Sequence, residues 1–195
     1  MSKLFYIIGK SASGKDSIYR ELMNTEEFSF KKLILYTTRP MRDGEENGRE
    51  YYFVSHDELD EMKSRGIIIE ERDYHTVHGI WAYFTADDGQ IAWDGSNYLG
   101  IGTLESYCAL RDYYGRDKVC PIYIEVEDGE RLTRALKREK KPENGRYAEM
   151  CRRFLADEED FSEEKLKDAG ITVRFVNDDK EECLKNITLY IREQQ

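Results

Sequence analysis

A glycine-rich stretch near the N-terminus, GKSASGKDS at residues 9 to 17, contains residue types that bind phosphate. Gly9 and Gly14 permit backbone conformations that β-carbons hinder, and Lys15 can reach the terminal phosphates of a nucleotide. The pattern G-x-x-x-x-G-K usually closes with Ser or Thr, whose hydroxyl ligates magnesium, but this chain has Asp16 there. The stretch therefore predicts a nucleotide-binding loop with an unusual eighth residue.

Asp16 bears directly on the metal. A carboxylate can bind magnesium directly or through water, because hard cations accept oxygen ligands of either kind. Without a metal, the same negative charge lies close to the phosphates and should weaken nucleotide binding. Ser17 offers a hydroxyl, but one position late. We therefore expect Asp16 to be the candidate ligand of a Mg²⁺ ion that binds together with ATP.

A second group of phosphate-binding residue types lies in YTTRPMRDGEENGREYYFVS, residues 36 to 55. Arg39 and Arg42 lie three apart in a loop opened by a proline, and Tyr51 follows at the start of a strand pattern. Guanidinium groups match phosphate oxygens in pairs, and a tyrosine hydroxyl adds one donor. These residues are suited to hold a second phosphorylated molecule. The alternative is that they are surface arginines paired with the neighbouring acidic residues.

The elements around these stretches must bring them together. The apolar run KLFYII ends at Gly9, and KDSIYRELM has helical periodicity, so the loop lies between a strand and a helix, where its amides converge on one anion. Further along, KKLILYTT predicts one strand over residues 31 to 38, and NGRYAEMCRRFLADEEDFSEEKLKDAG predicts one long charged helix over residues 144 to 170. Alternating strands and helices predict an α/β fold with a mostly parallel central sheet flanked by helices.

Composition limits the classes of partner. The chain has 195 residues and a formal net charge of −10, which disfavours nucleic acid and anionic membrane surfaces as partners. Its four cysteines form no C-x-x-C pair, as expected of reduced thiols in a cytosol. No signal peptide and no membrane span is apparent. We expect a single-domain cytoplasmic protein, and its oligomeric state stays open.

The two phosphate-binding stretches are followed by IIEE at residues 68 to 71, HG at 78 to 79 and VNDD at 176 to 179. In this order they resemble the motifs of the guanylate kinase family over nearly the whole chain. The resemblance implies a P-loop NTPase-type fold with an inserted GMP-binding subdomain and a helical lid. Its implied ranges are 1–34, 86–128 and 151–195 for the core, about 35–85 for the subdomain and about 129–150 for the lid.

The resemblance also implies the acceptor site. Arg39, Arg42 and Tyr51 would hold the phosphate of GMP, with Glu45 supporting them. His78 matches a tyrosine on the phosphate side. Glu70 would accept hydrogen bonds from guanine N1 and the exocyclic amine, since guanine presents two adjacent donors there and adenine does not. For Glu70 alone, an exposed carboxylate at a strand end would be the simpler interpretation.

On the donor side, the resemblance implies that the loop binds ATP and that Asn177 lies near the adenine. The loop residues are Gly9, Lys10, Ser11, Ala12, Ser13, Gly14, Lys15, Asp16 and Ser17. Phosphoryl transfer is catalysed mainly by positioning and by neutralising charge, so a lid should carry cations. Arg134 and Arg138, four apart on one helical face, resemble the family's R-L-x-x-R pair, with an alanine in place of the leucine. Arg153 matches an arginine of the following helix, and with Lys15 these residues are the implied catalytic group.

Three departures from the family pattern bear on base specificity. Leu35 stands where the family usually has a serine that helps to read guanine. The family's Y-G-T appears as His78-Gly79-Ile80, and its D-x-D strand end appears as Gly100-Ile101-Gly102, with Glu105 as the nearest carboxylate. One lost hydrogen bond is worth roughly 1 kcal/mol. The sequence therefore predicts weaker discrimination among acceptors.

The leading hypothesis is Mg²⁺-dependent phosphoryl transfer from ATP to GMP, giving ADP and GDP. One alternative is a kinase of another phosphorylated acceptor, such as ribose 1,5-bisphosphate, because kinases of that sugar phosphate also carry a G-K-D loop. The other is a non-catalytic guanylate kinase-like binding module. Such modules usually lose the loop lysine and the lid cations, whereas this chain keeps Lys15, Arg134 and Arg138.

Overall fold

The computed structural model describes residues 2–76, 79–139 and 147–195. In chain order the elements are β1 (Leu4–Ile8), α1 (Lys15–Asn24), β2 (Lys31–Lys32), β3 (Tyr36–Thr37), β4 (Tyr52–Phe53), α2 (His56–Ser64), β5 (Ile68–Thr76), β6 (Gly79–Ala86), β7 (Tyr98–Ile101), α3 (Leu104–Tyr114), β8 (Val119–Glu125), α4 (Asp128–Glu139), α5 (Tyr147–Asp160), α6 (Glu163–Asp168), β9 (Arg174–Val176) and α7 (Lys180–Gln194). Their alternation confirms the predicted α/β class.

The central sheet has the strand order β2-β7-β1-β8-β9, and each neighbouring pair in it is parallel. Strand β1 lies in the middle and is fully buried, as its continuous apolar sequence predicts for a strand covered on both faces. Helices α1 and α7 pack on one face through side chains spaced four apart, such as Ile18 with Leu22 and Ile187 with Ile191. Helices α3 and α6 pack on the other face. The parallel central sheet flanked by helices is therefore confirmed.

A second sheet has the order β4-β3-β6-β5 and is built from residues 36 to 86. It is mixed, because β3 and β4 are parallel whereas the β5–β6 hairpin and the β3–β6 pair are antiparallel. Helix α2 covers it and begins with a capping box between Ser55 and Glu58. A small core of its own, with Leu59, Met62 and Phe84, holds this part together. The hairpin contacts the central part of the chain through Arg72 of β5, which donates a hydrogen bond to Thr103 at the start of α3.

Two sequence-based expectations about elements are corrected. The single strand expected over residues 31 to 38 is two short strands in different sheets, because Leu33 and Leu35 turn into the core of the central sheet between them. The single helix expected over residues 144 to 170 is interrupted between α5 and α6. Phe161 is buried there against the ring of Tyr123, and Ser162 caps the amino end of α6. Residues 144 to 146 lie outside the described residues.

Within the described part of the chain, each helix is too short or too polar to cross a lipid bilayer.

Candidate active site

The glycine-rich loop connects β1 to α1 at the carboxyl edge of the central sheet. Gly14 caps α1 with φ of +86°, and a β-carbon at this position would collide with the side-chain amide of Asn177. That amide donates a hydrogen bond of 2.7 Å to the carbonyl of Ser13. Ser13 itself is buried, and its hydroxyl has no hydrogen-bond partner among the described residues. Glycine and Asn177 together therefore fix the shape of the loop, whereas the expected place of Asn177 near adenine stays a prediction.

Lys15 and Asp16 lie in the first turn of α1, the lysine half-buried and the aspartate exposed. Neither side-chain charge is engaged in an ion pair with another described residue, so both are available to a ligand. No cluster of three or more His, Cys, Asp or Glu side chains suited to a metal occurs in residues 2–76, 79–139 and 147–195. A protein-only metal cage is not required for magnesium, which is commonly held by one or two carboxylates together with phosphates and water. Asp16 fits that kind of site.

The first half of the loop is held by the helices that follow β8. The Ser11 amide donates to Asp157 at 2.8 Å, and the Lys10 ammonium donates to Glu158 at 2.6 Å. Arg131 of α4 is 1% exposed; it donates to the Ser11 carbonyl at 3.2 Å and pairs with both carboxylates. The Lys10 ammonium and the Ser11 amide are thus hydrogen-bonded to α5. These two residues, which were expected to bind ATP, hold the loop against that helix. The sequence motifs did not indicate Arg131. Its spacing of four from the buried Ala135 puts both residues on the inner face of α4, and this spacing was the available signal.

The three arginines expected to be catalytic, Arg134, Arg138 and Arg153, occupy different environments. Arg134 lies against the loop, where Nη2 donates to the carbonyl of Asn177 at 3.0 Å and Nε donates to Glu130 at 2.9 Å. Arg138 and Arg153 are more than half exposed and line one shallow pocket above the start of the loop. The structure therefore brings Arg134 to the loop and leaves the other two at the solvent side of α4 and α5.

Glu149 orients the start of α5. It accepts hydrogen bonds from Arg152 at 2.7 and 2.8 Å and from Arg153 at 2.8 Å. These bonds, those of Arg152 first, lower the pKa of Glu149 to about 2. The guanidinium of Arg152 is also within electrostatic range of Tyr74 on the β5–β6 hairpin.

Arg39 is the centre of the second phosphate-binding group and is 3% exposed. Its two terminal nitrogens donate to the carboxylate of Glu45 at 3.0 and 2.9 Å, and Nε donates to the hydroxyl of Tyr83 at 3.1 Å. The guanidinium also lies over the rings of Tyr51 and Phe53, 5.7 and 5.4 Å from their centroids. Burial lowers the pKa of Arg39, but its bonds to Glu45 and Tyr83 outweigh that effect and raise it. Arg39 is therefore a buried, hydrogen-bonded residue and not a solvent-exposed surface arginine.

Arg42 and Tyr51 complete the group around Arg39. Arg42 is exposed, and its backbone amide donates to Glu45 at 2.7 Å. Burial raises the pKa of the Tyr51 hydroxyl, and the charges of Arg39, Arg72 and Asp16 also act on it. Tyr51 also packs edge-on against Tyr83, so it belongs to the group around Arg39.

Glu70 is 6% exposed and belongs to a connected set of polar side chains. Its Oε1 accepts from the Thr85 hydroxyl at 2.7 Å, and Nε of Arg72 donates to Oε2 at 2.8 Å. Nη2 of Arg72 makes a longer bond of 3.3 Å to Oε1, and Nη1 donates to Thr103 at 3.1 Å. Burial lowers the pKa of Arg72, but the charge of Glu70 more than compensates and raises it. Glu70 is thus not an exposed strand-end carboxylate. The signal for its partner was the i, i+2 spacing on β5, which puts both side chains on one face.

Two residues of β6 bring hydroxyls to Arg39 and Glu70 that the sequence motifs did not indicate. His78 lies outside the described residues, and Ile80 is exposed near the distal end of the hairpin. Tyr83 of β6 instead places its hydroxyl on Arg39, and Thr85 places its hydroxyl on Glu70. The two are two residues apart, so they lie on the same face of β6. The Y-x-T spacing of Tyr83-Phe84-Thr85 was the available sequence signal.

Tyr6 explains the two glycines at the end of β7. Its ring lies over Gly100, where a β-carbon would be 2.6 Å from Cδ2, and its hydroxyl occupies the space that a β-carbon on Gly102 would need. The hydroxyl is hydrogen-bonded to Ser106 at 2.9 Å. Carboxylate side chains therefore do not fit at the two glycine positions beside Tyr6. Leu35 is buried in the core, which agrees with the absence of a base-reading hydroxyl at that position.

Comparison with known proteins identifies the same family that the motifs indicate. Residues 1–80 match the family model described as guanylate kinase. Guanylate kinase of Nitrosomonas europaea is 41% identical over 75 residues, which is 38% of this chain and 37% of that protein. The guanylate kinase of Cupriavidus metallidurans is 30% identical over 105 residues, 49% of this chain and 48% of that protein. The chain therefore spans about a third to a half of the length of these two relatives.

Two further matches extend over the whole chain. The guanylate kinase of Porphyromonas gingivalis is 28% identical over 189 residues, which covers 96% of this chain and 95% of that protein. A crystal structure of guanylate kinase from Anaplasma phagocytophilum superposes with a TM-score of 0.68, covering 100% of this chain and 86% of that one at 21% identity. The structural match establishes a shared fold. Together, the matches confirm the resemblance that the motifs indicated.

Proposed function

We propose that this chain, a divergent member of the guanylate kinase family, transfers the terminal phosphoryl group of ATP to the phosphate of GMP in the presence of Mg²⁺. In this reaction a phosphate oxygen of GMP bonds to the γ-phosphorus of ATP, the bond to the β,γ-bridging oxygen breaks, and ADP leaves. The observation that carries the proposal is the hydrogen bond from Arg72 of β5 to Thr103, which follows β7 at the same carboxyl edge of the central sheet as the loop that follows β1. This bond joins the second sheet, with its buried Arg39, to that edge.

The donor side would be formed by the loop and the amino end of α1. Lys15 would bind the β- and γ-phosphates, because its ammonium is not committed to another described residue and the helix amides point the same way. Asp16 would ligate Mg²⁺, which neutralises phosphate charge when bound. Arg134 would approach the transferring group from the α4 side of the loop, while Arg138 and Arg153 would act from the solvent side. No covalent intermediate on the protein is required.

The acceptor side would be formed by the second sheet. Arg39, Arg42, Tyr51 and Tyr83 would hold the phosphate of GMP, and Glu70 with Thr85 would face its base. Residues 35–85 would then form the GMP-binding subdomain, residues 129–150 the lid, and the remainder the core. The four cysteines are free of disulfides, which agrees with our placement of the reaction in the cytoplasm.

The alternatives are less well supported by the same observations. A sugar bisphosphate has no base, so it would not use the lone pair of Glu70 and the N–H groups of Arg72 that remain after their mutual hydrogen bonds. A non-catalytic module would not need a loop lysine whose charge is unpaired among the described residues, nor the buried Arg39. We therefore favour a nucleoside monophosphate as the acceptor.

A coupled assay of ADP release tests the proposal. ATP and Mg²⁺ are supplied with GMP, AMP, CMP, UMP or ribose 1,5-bisphosphate, each in a separate reaction. We expect turnover with GMP, and loss of at least about a hundredfold in Lys15→Met, because this change removes the cation that binds the transferred phosphoryl group. Lys185→Met, at an exposed position on α7, is the matched control and should retain activity. Turnover with the sugar phosphate alone, or equal loss in both variants, would refute the proposal.

A further inference from the structure

We propose that the acceptor site reads the ring N–H and the carbonyl of a 6-oxopurine base and does not read its 2-amino group, and that Arg72 sets this specificity. The inference rests on the proposed function, because it concerns the acceptor of the same site. It names a wider acceptor class than GMP: the 6-oxopurine nucleoside monophosphates, including IMP.

The hydrogen-bonding capacity of Glu70 limits what it can accept. A carboxylate has about four lone-pair sites. Thr85 and Arg72 together donate three hydrogen bonds to Glu70, two to Oε1 and one to Oε2. Roughly one site therefore remains, on Oε2. That site suffices for a single N–H of a base but not for the two adjacent donors of guanine, N1–H and the 2-amino group.

Arg72 has more N–H donors than it uses in its bonds to other described residues. Its guanidinium carries five N–H donors. Three of them make the bonds to Glu70 and Thr103, which leaves one N–H on Nη1 and one on Nη2 without an assigned acceptor among the described residues. The pair thus presents one acceptor next to two donors. A base edge with one N–H beside a carbonyl matches this pattern, whereas adenine, with an acceptor N1 beside an amino group, has the reverse pattern.

The pair is held at the nucleotide edge of the central sheet. Thr103, which accepts from Arg72, is the N-cap of α3 and follows the carboxyl end of β7. Ser106 is within 3.2 Å of the Thr103 hydroxyl and is bonded in turn to Tyr6 on β1. The orientation of the Arg72 guanidinium is therefore fixed from the core. The side chain is about 10% exposed, and its two remaining N–H groups would face the ligand.

Two positions at which the family has polar side chains, 35 and 102, have none in this chain. No side chain at either position can contact the base or pair with Arg72. Leu35 is buried and has no hydroxyl, and the space beside Gly102 is filled by Tyr6. The carboxylate that Arg72 contacts is therefore that of Glu70. The base site therefore has more hydrogen-bond donors than acceptors. Because the 2-amino group of guanine is itself a donor, it should add little to the binding affinity.

The test compares GMP with IMP, which differ only in the 2-amino group, with AMP as the negative control. Values of kcat/KM are measured for the wild-type chain, Arg72→Gln and Arg72→Lys, with Arg65→Gln as a matched control at an exposed arginine of the same subdomain. In the wild-type chain we expect IMP to be used within about tenfold of GMP, because a read amino group would contribute a charge-assisted bond worth roughly tenfold or more. A larger preference for GMP would overturn the inference.

Arg72→Gln should free lone pairs of Glu70 and raise the ratio of GMP to IMP by roughly tenfold. An unchanged ratio in both Arg72 variants, with equal losses for the two acceptors, would mean that Arg72 only supports the site or binds phosphate, and would overturn the inference. Thermal unfolding without nucleotide identifies a variant that fails to fold. If Arg72→Gln fails to fold, the ratio of kcat/KM for GMP to that for IMP is taken from Arg72→Lys, which retains the positive charge but not the planar guanidinium.

Calorimetric binding of GMP and IMP separates this inference from the proposed function. Comparable binding of both by a wild-type chain that transfers no phosphoryl group would refute the proposed reaction and retain the base-reading inference. Binding of neither nucleotide would overturn both.

Discussion

At the scale of single residues, the proposed acceptor side contains two buried arginines, each beside one glutamate. Arg39 pairs with Glu45, and Arg72 pairs with Glu70. Buried ion pairs are weak evidence for stability, because desolvation offsets most of the Coulomb attraction, but removing one partner leaves an uncompensated charge. We infer that these pairs are retained to hold donors in fixed directions. That interpretation leads to two predictions at this scale.

Tyr83→Phe should lower kcat/KM for GMP by about tenfold. The change removes the hydroxyl that accepts from Nε of Arg39, and a hydrogen bond to a charged group is worth roughly 1.5–3 kcal/mol. Steady-state kinetics with GMP varied at saturating ATP measure the effect. Tyr74→Phe is the matched control, because that ring packs edge-on against Tyr83 but is 42% exposed. Equal effects of the two changes would contradict a specific role for the Tyr83 hydroxyl.

The pair of Arg39 and Glu45 should make stability depend on pH. Hydrogen bonds from Arg39, with one from the Arg42 amide, lower the pKa of Glu45 in the folded chain. Its stabilisation is therefore complete above the unfolded pKa, about 4.3, and is lost as the pH falls through the lower folded value. The difference in Tm between the wild-type chain and Glu45→Gln should be constant from about pH 6 to 8 and should disappear in acid. A difference that persists undiminished in acid would argue against this ion pair, and Glu46→Gln at an exposed position provides the control.

At the scale of elements, strand β1 determines what strand β7 can carry. Tyr6 is fully buried and projects across Gly100 and Gly102 toward α3. Because a tyrosine ring is rigid and this one is surrounded by the core, the neighbouring positions have no room for a side chain. The glycines of β7 are thus a consequence of Tyr6. Similarly, α4 and α5 are joined to the loop through Arg131, which links the position of these two helices to the shape of the loop.

Gly102→Ala should destabilise the fold by about 2 kcal/mol, since the added methyl group collides with the hydroxyl of Tyr6 and overpacking costs roughly 1–3 kcal/mol. The free energy of unfolding in urea measures it. Gly129→Ala is the matched control: its methyl group would be 3.0 Å from a carboxylate oxygen of Glu127, which is at a surface turn and can move. A Gly102→Ala variant as stable as the control would show that Tyr6 can relax.

At the scale of the whole molecule, the proposed site combines three parts that pack mainly within themselves. The central sheet carries the loop, the second sheet has its own small core, and α4 and α5 are hydrogen-bonded to the first half of the loop. Both nucleotides would contact more than one of these parts. Ligand binding should therefore stabilise the entire chain and not only the residues that it touches.

GMP with a non-hydrolysable ATP analogue and Mg²⁺ should raise Tm by about 5–10 °C. Ligand at a hundred times its Kd contributes about 2.7 kcal/mol, and 1 kcal/mol corresponds to roughly 2–4 °C for a chain of this size. Removal of Mg²⁺ with EDTA should cancel most of the shift, because Asp16 would then oppose the phosphate charge. Asp16→Asn should make the shift less sensitive to EDTA. A shift that is insensitive to EDTA in the wild-type chain would exclude the proposed metal role of Asp16.

Much of the fold could be predicted from the sequence, because its signals are local. The buried strand, the glycine loop and the following helix are adjacent in the chain, so short-range pattern and turn chemistry suffice to identify them. The same is true of Arg39, Glu45 and Tyr51, which all lie in the loop between β3 and β4. The two corrected elements, the divided strand and the interrupted helix, depend on side chains that turn into a core assembled from distant segments.

The sequence by itself determined the glycine-rich loop between a strand and a helix, the α/β class and the family resemblance. Only the tertiary structure decided which residues complete the proposed acceptor side: Tyr83 on Arg39, Thr85 and Arg72 on Glu70, and Tyr6 over the glycines of β7. The reason is physical. Strand register and packing across a sheet join positions that are far apart in the chain, such as Leu4 with Val119 and Tyr6 with Ser106, and no local pattern specifies which side chains then meet.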